Sequence, residues 1–270
     1  MGGLGIAASM ALAGCVESLF FHPDGRDYAT PQRLGLASRD LRFTSGDATL
    51  HGWWLPAQGT ARATVVHAHG NAANIGNHLP LVAWLPGAGL NVLLFDYRGF
   101  GRSTGKPTLD GAVDDLRAAI AAARREAPGS RLVLLGQSLG GATAIRAAAA
   151  EQDAGATDSV LLIVEAAFDS YRGIARDVAS GPLLVLRPLL LALPGPPDDP
   201  AAAIARLRMP VLLIHGDTDR VIPFAHAERL HATAPEPKTL LRVRGADHLE
   251  ALERAEVRAA TLAAIDAALR

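Results

Sequence analysis

The chain has 270 residues, enough for one α/β domain with a modest insertion and too few for two full enzymes. Apolar residues make up 49% and charged residues 20%, which supports a sizeable core and argues against disorder. The 26 Lys and Arg against 27 Asp and Glu leave no electrostatic case for nucleic acid, and the single Cys excludes a disulfide framework and a Cys-based zinc site.

Residues 1–14 carry no charge and are mostly small or apolar. The run is shorter than the roughly 20 residues a helix needs to cross a bilayer. It reads as the apolar part of a signal peptide ending at Leu12-Ala13-Gly14-Cys15, a tetrapeptide similar to a bacterial lipobox. On that reading Cys15 is acylated, becomes the mature N-terminus and attaches the protein to the membrane of the cell envelope. Against it, no Lys or Arg precedes the apolar run. The competing reading is a short helix packed on a cytoplasmic protein, with Cys15 an inert apolar residue. The expected division is therefore an N-terminal segment, 1–20, and one domain over 21–270.

Strands are expected near 39–45 and 48–55, joined by a hairpin turn at Ser45-Gly46-Asp47. From residue 62 onward, strand and helix alternate. The further strands fall near 62–68, 91–96, 131–136, 159–165, 210–215 and 239–243. The helices fall near 73–85, 109–127, 139–152, 199–207, 223–233 and 247–269. This order predicts an α/β fold, an eight-stranded mostly parallel sheet with helices on both faces. Residues 169–198 break the rhythm. Their apolar run Leu183–Leu191 is interrupted by Arg187 and Pro188, which suits a small helical cap walling a pocket better than a membrane span. The alternative is a core helix of the main domain.

Gly136-Gln137-Ser138-Leu139-Gly140 follows one expected strand and opens the next helix. G-x-S-x-G is weak as a string and strong in that context, where the glycines let a sharp turn expose the Ser138 hydroxyl above a helix N-terminus. A serine needs a base to act as a nucleophile. His248 follows the last strand and could reach over the same sheet edge. The base needs a carboxylate to hold its tautomer. Asp217 and Asp219 follow the seventh strand and Glu165 ends the sixth, so three carboxylates compete, with Asp217 better suited to bracing its turn. Acyl transfer also needs donors for the developing oxyanion. The backbone N–H groups of Leu139 and of Asn71, in His69-Gly70-Asn71, are candidates. His67 and His69 form an H-x-H on one strand face, but no carboxylate follows at ligand spacing, so no metal site is expected.

The chemically apt positions Gly70-Asn71, Ser138, Glu165, Asp219 and His248 all sit at strand C-terminal ends. In a parallel sheet those ends share one edge, where ligands bind. With Leu50-His51-Gly52-Trp53-Trp54-Leu55-Pro56, His69-Gly70-Asn71-Ala72, Asp96-Tyr97-Arg98-Gly99-Phe100-Gly101-Arg102-Ser103 and Gly216-x-x-Asp219-x-x-Ile222-Pro223, the chain after residue 20 resembles the α/β-hydrolase superfamily. Within it, the resemblance is to the bacterial serine aminopeptidase-like and lysophospholipase-like hydrolases. The resemblance implies Ser138 as nucleophile, Asp219 as acid, His248 as base and the Asn71 and Leu139 N–H groups as oxyanion hole, with no cofactor. It implies a serine hydrolase acting on a small-molecule acyl ester or thioester of short to medium chain. The alternatives are an aminopeptidase-type serine peptidase and a non-catalytic binding protein on the same fold.

Overall fold

Eight short, apolar segments become the strands of one sheet: β1 (Arg39–Ser45), β2 (Ala48–Leu55), β3 (Ala63–Ala68), β4 (Leu90–Phe95), β5 (Leu132–Gln137), β6 (Ser159–Glu165), β7 (Val211–Gly216) and β8 (Lys238–Val243). The structure, a computed structural model, describes residues 20–178 and 198–270. The lipobox-like Cys15 segment and most of the expected cap, including Leu183–Leu191, lie outside the described residues. Among the described residues no helix is long and apolar enough to cross a membrane.

The strand order is β8-β7-β6-β5-β3-β4-β2-β1. Strand β2 runs antiparallel to both neighbours, β1 and β4, and every other pairing is parallel. The expected hairpin links β1 to β2, with Ser45 paired to Ala48. Strands β3, β4, β5 and β7 are buried at every position. Such continuous burial needs cover on both faces of the sheet. The edge strands β1 and β8 instead mix exposed and buried positions.

Among the described residues seven helices follow in chain order: α1 (Ile75–Val82), α2 (Leu109–Glu126), α3 (Leu139–Asp153), α4 (Tyr171–Val178), α5 (Pro200–Ile204), α6 (Ala225–Thr233) and α7 (Ala255–Ala268). Because side chains alternate along a strand, neighbouring residues feed two different cores. Val66, Leu134, Leu162 and Leu213 pack with Leu116 and Ile120 of α2, Ile145 of α3 and Leu230 of α6. Val65, Val133, Ile163 and Leu212 pack on the other face with Leu79 and Val82 of α1 and Ile265 of α7. Each such buried side chain contributes about 2 kcal/mol of hydrophobic stabilisation.

The strand bounds lie within one residue of those read from the sequence; the helix bounds differ more. Helix α1 begins at 75 rather than 73 because Ala73 has φ 64° and Asn74 caps the helix, its Oδ1 accepting from Gly76 N at 2.9 Å. The long helix expected over 247–269 divides into a short turn, Ala251–Glu253, and α7, with Arg254 extended between them (φ −82°, ψ 133°). Helix α4 lies at the start of the stretch 169–198, which the sequence reads as a helical cap without giving helix bounds. A two-residue parallel pairing of His22–Pro23 with Ala72–Ala73 was also not expected, being too short to leave a pattern.

Candidate active site

Strand β5 enters α3 through Ser138, whose backbone (φ 56°, ψ −123°) lies in a region non-glycine residues rarely occupy. The turn closes because its flanking positions carry no Cβ. A Cβ at Gly140 would lie 2.1 Å from the Ala68 carbonyl oxygen at the end of β3, and one at Gly136 2.3 Å from the Gly140 oxygen. The strained residue is held from both sides: Ser138 N donates to the Glu165 carbonyl at 2.9 Å, and Gly141 N to the Ser138 carbonyl at 2.9 Å. The result is a serine on a sharp strand-to-helix bend with a helix N-terminus behind it.

Two further loops meet this serine. His248 Nε2 lies 3.1 Å from Ser138 Oγ, and His248 Nδ1 lies 2.8 Å from Asp219 Oδ2. The other Asp219 oxygen accepts from the backbone N–H groups of Val221 and Ile222, each at 2.8 Å. His215 Nε2 approaches Asp219 Oδ2 at 3.3 Å and donates to the Ile222 carbonyl at 2.9 Å. Burial pushes the Asp219 carboxyl up, but hydrogen bonds from His215 and His248 outweigh it and hold the group well below the usual carboxylate range. Asp219 is therefore an anion fixed by three donors, with the His215 ring beside them.

The two loops are braced against each other. Thr218 Oγ1 donates to the Ala246 carbonyl at 2.9 Å. Asp247 accepts from Arg220 N at 3.0 Å and from His248 N at 2.8 Å. Asp217 does not reach His248; it accepts from Gly245 N at 2.7 Å and Arg242 Nε at 3.1 Å, the bracing role its turn suggested. Glu165 also stays away from the imidazole. Its oxygens accept from Gln137 Nε2 at 2.6 Å and Leu252 N at 2.9 Å. Of the three competing carboxylates, only Asp219 bonds to His248.

Leu139 is the first residue of α3, directly after Ser138. Gly70 lies against the serine, since a Cβ there would be 3.6 Å from Ser138 Cβ and 3.0 Å from His78 Cε1. Asn71, the next residue, is tied by its carbonyl to His22 N at 2.8 Å. One ring nitrogen of each histidine of the H-x-H pair has another partner, while His67 Nδ1 and His69 Nε2 are buried without one. His67 Nε2 donates to Gln137 Oε1 at 2.7 Å, and His69 Nδ1 to the Gly70 carbonyl at 2.8 Å. Among the described residues no group of three His, Cys, Asp or Glu is arranged to hold a metal.

Comparison with known proteins bears on the family. The protein YfhR of Escherichia coli O157:H7, itself uncharacterized, is 38% identical over 241 residues, spanning 87% of this chain and 80% of YfhR. The α/β-hydrolase domain-containing protein WAV2 of Arabidopsis thaliana is 30% identical over 250 residues, 86% of this chain and 80% of WAV2. The family model Hydrolase_4, described as serine aminopeptidase S33, matches residues 59–182. The chain belongs to the α/β-hydrolase superfamily. Solved structures share its fold: the Pyrococcus furiosus esterase Pf2001 superposes with a TM-score of 0.73 at 20% identity, over 93% of this chain and 98% of that one. Est1E from Butyrivibrio proteoclasticus gives 0.66 at 17% identity, over 84% and 98% of the two chains.

Three parts of this α/β-hydrolase site were not singled out from the sequence. His215, buried at the end of β7, reinforces Asp219; a polar residue closing an otherwise apolar strand, four positions before a candidate acid, was the available signal. Gln137 occupies a variable position of the glycine–serine motif, which carries no signal of its own. His78, on α1, carried no motif at all, yet its ring lies against Gly70.

His67, His69 and His78 are all buried, and burial first of all pushes each below the ordinary histidine value of 6.5: His67 to about 3, His78 to about 4 and His69 well below. All three are thus neutral in the folded hydrolase. Below pH 6.5 the unfolded chain takes up protons that the folded one refuses, so stability falls as pH falls. Their stabilising contribution is complete above pH 6.5 and is lost towards about 4 for His78 and about 3 for His67. The slope is about 1.4 kcal/mol per pH unit for each histidine. Urea unfolding midpoints should therefore drop between pH 7 and pH 5, above the range where carboxylates protonate. A flat profile over that interval would contradict the assignment of neutral buried rings.

Proposed function

We propose that the protein is a serine hydrolase of carboxylic esters or thioesters with short to medium acyl chains. The observation that carries this is the relay itself: Ser138 Oγ to His248 Nε2 at 3.1 Å, and His248 Nδ1 to Asp219 Oδ2 at 2.8 Å. In the first step Ser138 Oγ attacks the acyl carbon while His248 Nε2 takes its proton. Asp219 accepts from Nδ1–H, so the Nε2 lone pair faces the serine, and its charge stabilises the imidazolium. The backbone N–H groups of Leu139 and Asn71 stabilise the oxyanion. The tetrahedral intermediate collapses as His248 returns the proton to the leaving alkoxide or thiolate. Water, deprotonated by the same nitrogen, then releases the acid from Ser138. The reaction needs no metal or organic cofactor.

A peptidase of the aminopeptidase type would need a carboxylate free to hold the substrate amine. The acidic residues near the expected cap are engaged elsewhere. Asp169 is bonded by His226 and Arg229, and Asp177 by His226 and Arg176. Asp198 is bonded by Arg206, while Asp199 accepts from Tyr171 N and Ser170 Oγ. This favours esters over amino-terminal amides. The test is a parallel assay of p-nitrophenyl acyl esters of graded length and aminoacyl p-nitroanilides. Ester turnover should dominate; anilides hydrolysed with the higher kcat/KM would reverse the reading.

A further inference from the structure

The triad reading leaves the buried carboxylate at the end of β6 without a task. Glu165 ends β6, and its side chain is shielded from solvent together with its register partner Gln137. Isolated buried charges are expensive, and they persist where specific donors hold them. Here the donors come from the two parts of the site that must meet. On one side Glu165 holds the bend: its carbonyl accepts from Ser138 N at 2.9 Å, and its Oε2 from Gln137 Nε2 at 2.6 Å. On the other side its Oε1 accepts from Leu252 N at 2.9 Å, four residues beyond His248. Upstream of His248 the loop is tied to the β7 loop through Thr218 and Asp247. Downstream, Glu165 provides a tie to the sheet. The imidazole is thus bracketed between two anchor points, and only the Glu165 anchor is shared with the nucleophile's own turn.

The hydrogen bonds around Glu165 favour one charge state. His67 Nε2–H donates to Gln137 Oε1, so the Gln137 amide nitrogen faces Glu165. Both Glu165 oxygens therefore face N–H donors, an arrangement suited to a carboxylate rather than an acid. Burial pushes the Glu165 carboxyl up and outweighs Gln137, Leu252 and the nearby His248 and His215, which favour its ionised form, so the net shift is upward and the ionised form rests on the donors that face both oxygens.

We propose that Glu165 is a positioning residue that locks the His248 loop to the Ser138 bend, and that its charge adds to that of Asp219 in stabilising the imidazolium formed when Ser138 gives up its proton. This rests on the triad reading above. The ionisable groups around His248 are Asp219 and His215 of the β7 strand and loop, Asp247 of its own loop, His78 of α1 and Glu165 of β6. Glu165 differs from the rest in touching both the nucleophile's turn and the base's loop.

The Glu165→Gln variant tests this. Its new amide would face the Gln137 amide, donor against donor. Relief would require Gln137 to flip and His67 to move its proton to Nδ1, an atom that is buried without a partner. The expected result is a folded protein whose kcat for p-nitrophenyl acetate falls about 10- to 100-fold while KM stays nearly constant. The acid limb of its kcat/KM profile should shift to lower pH, because an anion near His248 has gone. The double variant Gln137→Glu/Glu165→Gln restores every hydrogen bond: residue 165 donates to residue 137, accepts from Leu252, and residue 137 accepts from His67. It should regain most of the lost kcat, and it gives the reading if the single variant fails to fold. NMR titration of the His248 ring, assigned with a His248→Asn variant, gives a readout independent of turnover. Unchanged kcat and unchanged His248 titration in folded Glu165→Gln would overturn the proposal, as would a folded double variant with no recovery. If Ser138→Ala kept its activity while the His248 titration still moved in Glu165→Gln, the triad reading would fail and the coupling through Glu165 would stand.

Discussion

Ser138→Ala should lower kcat for p-nitrophenyl acetate by about 10⁶-fold, to the level of the uncatalysed reaction plus whatever binding and the oxyanion donors still supply. The expected loss is this large because no other hydroxyl can replace the one held at the bend: Ser138 Oγ is the atom 3.1 Å from His248 Nε2. The substitution is also structurally mild. The backbone strain at φ 56° belongs to the turn, and the flanking contacts of Gly136 and Gly140 remain. Relief of that strain is not available to alanine, so Tm should change little. Labelling by a fluorophosphonate probe should disappear in parallel with turnover. A purified, folded Ser138→Ala protein with activity near that of the unaltered chain would remove Ser138 from the mechanism and the relay with it.

Asp219→Asn should lower kcat by about 10⁴-fold with little change in KM. The reason lies in the donor count around the carboxylate. One oxygen accepts from Val221 N and Ile222 N, and the other faces His248 Nδ1 and His215 Nε2. In the asparagine variant the amide oxygen is best kept on the two backbone donors, so the amide nitrogen turns towards His248. It then donates to Nδ1, which forces the proton to Nε2 and leaves no lone pair to receive the serine proton. Charge is lost as well, so the imidazolium of the first transition state is less stable. Steady-state kinetics across pH 5 to 9 (roughly the range in which an imidazole titrates) would read both effects. A loss below about tenfold would mean that another carboxylate supports His248. Asp247 and Glu165 are then the candidates, although neither bonds to the ring in this structure.

The alternation of strand and helix was legible because it is written in short-range periodicity. Continuous apolar runs such as Val211–Ile214 read as buried strands, and a Gly or Pro cluster marks most joints. The break at Arg254 was hidden, since the Ala-rich stretch 255–268 and the residues before it share one helical composition. What divides them is the need to turn after His248: Leu249 takes φ 62° and Leu252 N is drawn to a buried carboxylate. The signal lies in a contact with β6, not in the local sequence.

The same limit applies to the site. Chain order placed a serine, an acid and a histidine at ends of strands on one sheet edge, and local chemistry favoured Asp217 as a brace. It left Asp219 and Glu165 both able to serve the histidine until the resemblance favoured one of them. Local physics by itself determined that the chain forms a mostly parallel sheet with reactive groups gathered at one edge, because side-chain periodicity and turn chemistry act over a few residues. Only the tertiary structure decided which groups meet. The serine and histidine are separated by 110 positions, and the acid and histidine by 29, so their pairing depends on how buried donors and acceptors across β5, β6 and β7 satisfy one another. Asp219 bonds to the ring and Glu165 holds the loop because burial leaves each oxygen only the donors that packing brings to it.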